Sequence, residues 1–175
     1  QQKNQKIRLI ATSWSANMRK GFAYYSDLDK HLDWDKYEMT FVGNSPILFK
    51  NIKHVPPLNT QDISKLIREY DIFVTASIDD PCSNSLIEAL HSGLPSVALS
   101  SGGHPEIVKD GGQLFSNEQE FLDAIDKVSQ DIESYSNNIQ LPTLSEVTDQ
   151  YLAFAIKIHG EKRENKVGVT GWLSS

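Results

Sequence analysis

The sequence has a single cysteine and no long apolar run. With only Cys82 in 175 residues, neither an internal disulfide nor a multi-cysteine zinc site can form, which fits a reducing compartment. No stretch approaches the roughly 20 apolar residues of a membrane span, and the opening QQKNQK lacks the apolar core of a secretion signal. We therefore expect a soluble, cytoplasmic protein. The first residue is Gln1 instead of Met, which suggests a fragment or a processed form.

The sequence also lacks an excess of positive charge. It has 17 Lys and Arg residues against 23 Asp and Glu residues, a net charge of −6, and no basic block. A nucleic-acid backbone would be repelled on average, so we expect no nucleic-acid partner. With 39% hydrophobic residues, the chain suits one well-packed domain, which we place at residues 1–160, followed by a charged tail of unknown role at residues 161–175.

Hydrophobic periodicity predicts strands that alternate with helices. Apolar runs predict strands at residues 6–12, 37–42, 51–55, 72–75, 95–99 and 113–115. Helical spacing predicts helices that begin near Gly21 and at residues 61–70, 117–130 and 144–159. This alternation predicts an α/β fold, a Rossmann-like doubly wound parallel sheet. In such a sheet the first strand and the strand at 72–75 flank the point where strand order reverses, so the loops after them share one crevice.

The segment Ile72–Pro95, IFVTASIDDPCSNSLIEALHSGLP, is the centre of the functional prediction. It predicts a buried strand, an acidic loop with one proline, and a short helix with Ser83, Asn84 and Ser85 as candidate caps. A helix that begins at the carboxyl end of a buried strand directs unpaired N–H groups and the positive end of its dipole into the crevice. This arrangement suits a phosphate.

Two carboxylates border the predicted crevice. Asp80 lies on the loop and Glu88 about one turn into the helix, so both can face the same small volume. Each also has a purely structural interpretation. Ser85 and Glu88 have the spacing of a capping box, in which Glu88 would only satisfy a backbone donor. Asp80 could be only an Asx-turn residue ahead of Pro81.

The residues around these acids resemble retaining glycosyltransferases of family 4. The family signature has Glu, seven residues and Glu, followed by Ala, a hydrophobic residue, two more and Gly-Leu-Pro. The matching residues are Asp80, Glu88, Ala89, Leu90, Gly93, Leu94 and Pro95. A family stretch Gly-Gly-x-Pro-Glu-Ile is matched by GGHPEIV at residues 102–108. His104 itself is predicted to be solvent-exposed or a local hydrogen-bond partner.

The resemblance implies the donor-binding, C-terminal half of a GT-B enzyme. It implies that Lys20 contacts the donor diphosphate, that Asp80 contacts the transferred sugar, and that Glu88 accepts hydrogen bonds from ribose hydroxyls. The diphosphate would also be held at the helix start. The further predicted contacts there are Cys82, Ser83, Asn84, Ser85 and Leu86.

The resemblance also implies which residues hold the nucleobase and which offset the negative charge of the diphosphate. A Pro-Pro-Leu loop, here with Pro57 and Leu58, holds the base in the family through backbone contacts. Many members have an Arg five residues before the Lys, but this chain has Ser15 there. Arg19 is the candidate to supply that charge. No metal-ligand cluster is visible in the sequence, so we expect metal-independent departure of the diphosphate and no cofactor beyond the nucleotide-diphosphate sugar.

The remaining expectations concern partners and rival functions. The acceptor would be held by an N-terminal domain of the same enzyme, through which peripheral membrane association could occur, and these residues alone would show little or no transfer. A catalytically silent sugar-nucleotide-binding module or an epimerase half would share the fold. A receiver-like signalling domain is the third alternative, although Thr12-Ser13-Trp14 stands where it needs acids.

Overall fold

Six parallel strands form one sheet in the order β3-β2-β1-β4-β5-β6. The computed structural model describes residues 5–169 of the chain, with side chains described up to Gly160. The strands are β1 Ile7–Ser13, β2 Tyr37–Gly43, β3 Lys53–Val55, β4 Ile72–Thr75, β5 Ser96–Leu99 and β6 Gly112–Phe115. The predicted α/β Rossmann-like parallel sheet is confirmed, and strand order reverses between β1 and β4 as expected.

Seven α-helices connect or follow these strands in the described residues. They are α1 Phe22–His31, α2 Thr60–Ile67, α3 Asn84–His91, α4 His104–Val108, α5 Glu118–Ser129, α6 Ile132–Asn137 and α7 Leu144–Val169. Short 3-10 turns at Met18–Lys20 and Lys109–Gly111 precede α1 and β6. The sequence predicts α1, α2 and α5 with small shifts at their ends, α7 with an end ten residues too early, and the helix after Asp80, but not α4 or α6.

The core consists of apolar side chains on both faces of the sheet. Every residue of β4 and β5 is buried, because helices cover both faces of a parallel sheet. On one face Phe22 of α1 packs against Phe41 of β2, with 5.5 Å between the ring centres. At the β6 edge, Phe115 and Phe121 stack at 4.0 Å. Short β-branched and aromatic runs are therefore what the sequence supplies for the central strands.

A buried carboxylate orders the connection from β2 to β3. Asp29, on α1, accepts hydrogen bonds from the backbone N–H groups of Lys50, Asn51 and Ile52 at 2.7–2.8 Å. These bonds satisfy both the buried charge and the backbone donors of a loop that has no regular structure. The predicted third strand therefore begins at Lys53 instead of Asn51.

Residues up to Gln140 and residues from Leu141 onward form two compact units. The second unit contains α7, which begins with a reciprocal cap: the Glu146 carboxylate accepts from the Thr143 N–H at 2.6 Å, and the Thr143 hydroxyl accepts from the Glu146 N–H at 3.2 Å. The helix continues to Val169, beyond the predicted end at residue 159. Residues 170–175 of the predicted tail lie outside the described residues. Within residues 5–169, no helix has the length and apolarity needed to cross a membrane.

Candidate functional site

The loop after β1 is held against the end of β4 by a glycine. Asn17 caps the 3-10 turn, with its side-chain oxygen accepting from the Arg19 N–H at 2.9 Å. Gly21 then takes a φ of 84°, and a Cβ at this position would lie 2.1 Å from the Ala76 carbonyl oxygen. Only glycine tolerates this combination of left-handed backbone and close approach. The local sequence therefore places Lys20 beside the loop that follows β4.

Lys20 and Asp80 form an ion pair at this edge of the sheet. The Lys20 Nζ donates to the Asp80 Oδ2 at 3.0 Å, although the two residues are 60 positions apart in the chain. The side chains are 35% and 16% exposed, so the pair is shielded from water but still reachable. The Asp80 Oδ1 also accepts from the Cys82 N–H at 3.3 Å. Asp80 therefore has both predicted arrangements at once: an Asx-type turn, and a place beside Lys20.

A second ion pair lies next to the first. The Arg19 Nη2 donates to the Asp79 Oδ2 at 2.7 Å, and both side chains are largely exposed. Asp79 has a φ of 51°, which Asp tolerates better than most residues. The Ser101 hydroxyl accepts from the Asp79 N–H at 2.9 Å. The guanidinium that the sequence offers for phosphate binding is thus already neutralised in this state of the protein.

Gly102 and Gly103 pack against the acidic loop. A Cβ at Gly102 would lie 2.4 Å from the Asp80 carbonyl oxygen, and one at Gly103 would lie 2.4 Å from that of Pro81. The Gly103 N–H donates to the Asp80 carbonyl at 2.9 Å. These glycines therefore let their backbone approach the loop that holds Asp80, whose position they help to fix.

The start of α3 has no side-chain cap. Ser83 is the N-cap residue, but its hydroxyl makes no capping hydrogen bond, so the first N–H groups of Asn84, Ser85 and Leu86 have no side-chain acceptor from the cap. Glu88 comes in the second turn with an exposed side chain. The capping-box interpretation of Glu88 is therefore wrong, because α3 begins too early for Ser85 to be the cap.

The structure brings some of the predicted site residues into contact and leaves others without a partner. Lys20 and Asp80 touch, and the α3 start follows Asp80 directly in the chain. Cys82 is exposed, Ser83 is buried, and Ser85 is half-buried. For the Glu88 carboxylate, the described residues provide neither a hydrogen bond nor an ion pair. Its predicted contact with a ribose stays a prediction.

His104 lies beneath the ion pair and is fully buried. Its Nδ1 is 2.8 Å from the Leu99 carbonyl oxygen, so Nδ1 must carry the proton, and the Nε2 is buried without a partner in the described structure. Burial lowers the pKa of His104, while the Leu99 carbonyl and Asp80 act to raise it. The ring is therefore neutral at pH 7. The prediction of an exposed histidine is wrong, because α4 begins at His104 and turns it inward, and the prediction of a local hydrogen bond is confirmed.

A narrow apolar crevice lies on the other side of β1. About 160 Å³ of space, part of it open to solvent, lies there at the carboxyl ends of β1 and β2, and it is too narrow to hold a water molecule. Its lining residues are Thr12, Ser13, Trp14, Val42, Gly43, Pro57, Leu58 and Ile63. Pro57 and Leu58, predicted to hold a base, thus contribute to a crevice. Trp14 was not predicted as a site residue, although its signal was a large aromatic side chain in a polar loop at a strand end.

In the part of the chain whose side chains are described, acidic and histidine residues do not cluster into a metal site. Among the side chains that the structure describes, no group of three His, Cys, Asp or Glu residues is arranged to hold an ion. The charged groups at the β1/β4 edge are instead two cation–carboxylate pairs, one shielded and one exposed. Such an edge can bind a ligand that carries both phosphate charge and hydroxyl groups.

The family model described as glycosyl transferases group 1 matches residues 15–131. The match covers well over half of the chain and includes Lys20, both acids of the predicted signature and the GGHPEIV stretch. The chain therefore belongs to the group 1 glycosyl transferases. No curated protein matches the sequence.

Solved glycosyltransferases share the fold at low sequence identity. Anabaena Alr3699/HepE in complex with UDP and glucose is 20% identical, with a TM-score of 0.68 over 87% of this chain and 48% of that chain. WaaG, a glycosyltransferase of lipopolysaccharide biosynthesis, is 16% identical, with a TM-score of 0.63 over 78% and 42%. The pneumococcal O-GlcNAc transferase GtfA with UDP and GlcNAc is 17% identical, with a TM-score of 0.63 over 77% and 32%. The chain thus spans less than half the length of each, and its sheet is the Rossmann-like fold of a GT-B half.

Proposed function

We propose that this chain is the donor-binding, C-terminal half of a family 4 retaining glycosyltransferase, which binds a nucleotide-diphosphate sugar and transfers its hexose. The observation that carries the proposal is the Lys20–Asp80 contact of 3.0 Å. It places a cation and a carboxylate from distant parts of the chain at the switch point of the sheet, where open α/β folds bind their ligands. UDP complexes of HepE and GtfA support a nucleotide-sugar as the ligand.

In this proposal the donor substrate separates Lys20 from Asp80 and gives each of them a new partner. The diphosphate takes the Lys20 ammonium and the uncapped N–H groups of Asn84, Ser85 and Leu86, since a phosphate oxygen accepts strongly from both kinds of donor. Asp80, released from Lys20, accepts from hydroxyls of the transferred sugar. A carboxylate left without a cation needs such donors, because its site is only 16% exposed. Cys82 and Ser83 belong to the same loop and shape the entrance.

The same donors stabilise charge during the reaction. As the bond from sugar to phosphate breaks, negative charge grows on the departing diphosphate, and a fixed ammonium and helix N–H groups stabilise it without reorganising. This route needs no metal ion. Arg19 can add a second charge only by leaving Asp79, because the two form an ion pair at 2.7 Å.

Glu88 is assigned to the nucleoside. Two neighbouring ribose hydroxyls match the two oxygens of one carboxylate, and an exposed carboxylate with no capping role is available for them. Pro57 and Leu58 line the crevice beside β1, where the base would lie. The donor would therefore extend from the crevice past Lys20 to Asp80.

The acceptor is assigned to an N-terminal domain of the same enzyme, and any peripheral membrane association is assigned to that half. The chain covers 32% to 48% of the glycosyltransferases described above, which supports one half of a two-domain enzyme. Donor binding without efficient transfer is then the expected behaviour of this chain by itself. A cytoplasmic location is part of the same proposal.

A catalytically silent sugar-nucleotide module is the alternative function that the same geometry supports. It would bind the donor identically, so only a transfer assay distinguishes it. The receiver-like alternative fails on two counts. Its fold has the strand order 2-1-3-4-5, whereas this sheet has 3-2-1-4-5-6, and the chain belongs to the group 1 glycosyl transferases.

A thermal-shift panel tests donor binding directly. UDP-, GDP- and ADP-sugars would each be added at millimolar concentration to the chain. One of them is expected to raise the melting temperature, because a ligand at about 100 times its Kd adds about 2.7 kcal/mol of stability. Unchanged melting with the whole panel would contradict the proposal. If one donor binds, joining the acceptor-binding domain and finding no transfer would favour the silent module.

A further inference from the structure

Trp14 stands out from the other large aromatic residues near the sheet. It is 61% exposed, and it lines the crevice at the end of β1 together with Pro57, Leu58 and Ile63. The other indole in the described residues, Trp34, is half-buried and packs against the core. Leaving an indole in water forfeits the gain from burying a large apolar surface. An exposed indole at a crevice therefore offers apolar surface that a ligand can cover.

The backbone holds Trp14 in place on both sides. The Trp14 carbonyl accepts from the Asn44 Nδ2 at 2.7 Å. The Ser13 hydroxyl donates to the Ser15 carbonyl at 2.8 Å, and the Asn44 N–H donates to the Ser13 carbonyl at 2.9 Å. Gly43 allows this approach, since a Cβ there would lie 1.8 Å from the Ser13 carbonyl oxygen. The backbone from which the indole projects is thus held in place, so binding need not order it.

The crevice is apolar and thin. Pro57, Leu58 and Ile63 provide apolar surface opposite the floor made by the ends of β1 and β2. The space is too narrow to hold a water molecule, so a ligand would lie across its rim against the exposed indole. A flat aromatic ligand suits that surface better than a sugar does, because a sugar would turn hydroxyl groups without partners towards apolar side chains. A purine or pyrimidine base has two apolar faces and a polar edge that backbone groups of the Pro57–Leu58 loop can satisfy.

The distance from this crevice to the ion pair also suits a nucleotide. The crevice lies between the ends of β1 and β2, and Lys20 and Asp80 lie at the ends of β1 and β4. Neighbouring strands are about 4.8 Å apart, so the two features are separated by about one to two strand spacings. A ribose bridges a gap of this order.

We propose that Trp14 is a specificity-determining residue whose indole stacks on the nucleobase of the donor. This inference rests on the proposed donor binding and deepens it. Stacking adds affinity for the nucleoside part without adding affinity for phosphate. It also compensates for the phosphate contacts that Ser15 does not provide and that Arg19, paired with Asp79, provides only after separation from that acid.

The test compares UDP, GDP and inorganic pyrophosphate as ligands of the 175-residue chain by calorimetry. Trp14→Ala is expected to weaken the better nucleotide about tenfold, since base stacking on an aromatic side chain contributes about 1–3 kcal/mol. Pyrophosphate affinity should not change. Trp14→Phe should stay within about threefold of the wild type, because a smaller ring still stacks. Met18→Ala is the matched control, since Met18 is exposed on the same loop and does not line the crevice.

Tryptophan fluorescence provides an independent readout. Nucleotide should quench the emission of the wild type and of Trp34→Phe, but not that of Trp14→Phe, which still binds. The inference is wrong if Trp14→Ala binds UDP and GDP as tightly as the wild type does and nucleotide quenches the emission of Trp14→Phe as strongly as that of the wild type. The proposed donor binding would then still stand. If the wild type binds neither UDP nor GDP, ADP is tested in the same way, and failure of all three nucleotides would overturn both this inference and the proposed donor binding. Far-UV circular dichroism confirms that the variants are folded.

Discussion

Two lysine–aspartate pairs of this protein have similar distances but different surroundings. Lys20–Asp80 lies at the carboxyl edge of the sheet at 3.0 Å, and Lys36–Asp126 precedes β2 at the opposite edge at 2.7 Å. Asp126 also accepts from the Tyr37 hydroxyl, and both partners are substantially exposed. In the Lys36–Asp126 network, the Lys36 ammonium and the Tyr37 hydroxyl both donate to the Asp126 carboxylate. Around Lys20–Asp80, the α3 start has no side-chain cap and the His104 Nε2 has no partner.

A purely structural ion pair can be distinguished from one that is available to a ligand by the groups around it. Distance alone does not separate them. The difference lies in unsatisfied donors and acceptors nearby, because a buried or directed polar group without a partner costs free energy until something binds it.

The largest expected effect is loss of donor affinity in Lys20→Met. Hydrogen bonds to charged groups contribute about 1.5–3 kcal/mol, so the Kd for the donor should rise by roughly tenfold to a hundredfold. Calorimetry with the best sugar nucleotide measures it. Lys36→Met is the matched control and should bind the donor like the wild type. Equal losses in the two variants would remove the distinction between the pairs.

The next effect concerns the glycine that positions Lys20. Gly21→Ala should lower the free energy of unfolding by about 1–3 kcal/mol, since it forces a left-handed alanine against the Ala76 carbonyl. Urea unfolding measures this. Gly93→Ala is the control, because Gly93 has nearly the same φ, 82°, but the nearest atom to its Cβ is 3.8 Å away. A larger loss in Gly93→Ala would show that steric contact with β4 is unimportant.

A third effect is the pH dependence caused by His104. Burial lowers its pKa in the folded protein, so the unfolded chain binds the proton more readily. The contribution of neutral His104 to stability is therefore complete above pH 6.5 and declines as the pH falls below that value. His104→Gln should flatten the decline in melting temperature between about pH 6.5 and 5. His91→Gln, at an exposed position of α3, should leave the slope unchanged.

The smallest expected effect is that of Lys36→Met on stability. Partial burial acts to raise the pKa of Asp126, but the hydrogen bonds from Lys36 and Tyr37 together outweigh it and hold the pKa below its ordinary value. The pair therefore stabilises the fold above the ordinary aspartate pKa, and this contribution is lost as the pH falls through the lowered one. For an exposed pair we expect at most about 1 kcal/mol at pH 7. A loss well above that, measured by urea unfolding, would make this pair a major support of the fold.

The sequence predicts the sheet well because its strands are short apolar runs bounded by turn residues. Ile72–Thr75 is an example whose bounds match the structure. The sequence does not predict α4, since a five-residue helix after Ser-Gly-Gly looks like a turn. It also misplaces His104 in water, because burial of that ring arises from long-range packing below the acidic loop. Local sequence does not reveal such packing.

For the site, the sequence identifies the residue types but not all of their pairings. Arg19, Lys20, Asp79 and Asp80 are two cations and two acids in adjacent positions, and either cation could pair with either acid. The structure assigns Lys20 to Asp80 and Arg19 to Asp79 through backbone geometry at Gly21 and Gly102. Trp14 was missed because an aromatic residue in a loop becomes informative only when its neighbours in space are known.

The most direct test of the account is the ratio of sugar-nucleotide to free-nucleotide affinity in Asp80→Asn, measured by calorimetry with the best donor and its nucleoside diphosphate. If Asp80 holds the sugar and Lys20 the diphosphate, the variant should bind the sugar nucleotide more weakly. It should bind the free diphosphate at least as tightly as the wild type does, because Lys20 no longer has a competing carboxylate. Equal weakening of both ligands, or no change in either, would contradict the proposed exchange of partners at the Lys20–Asp80 pair.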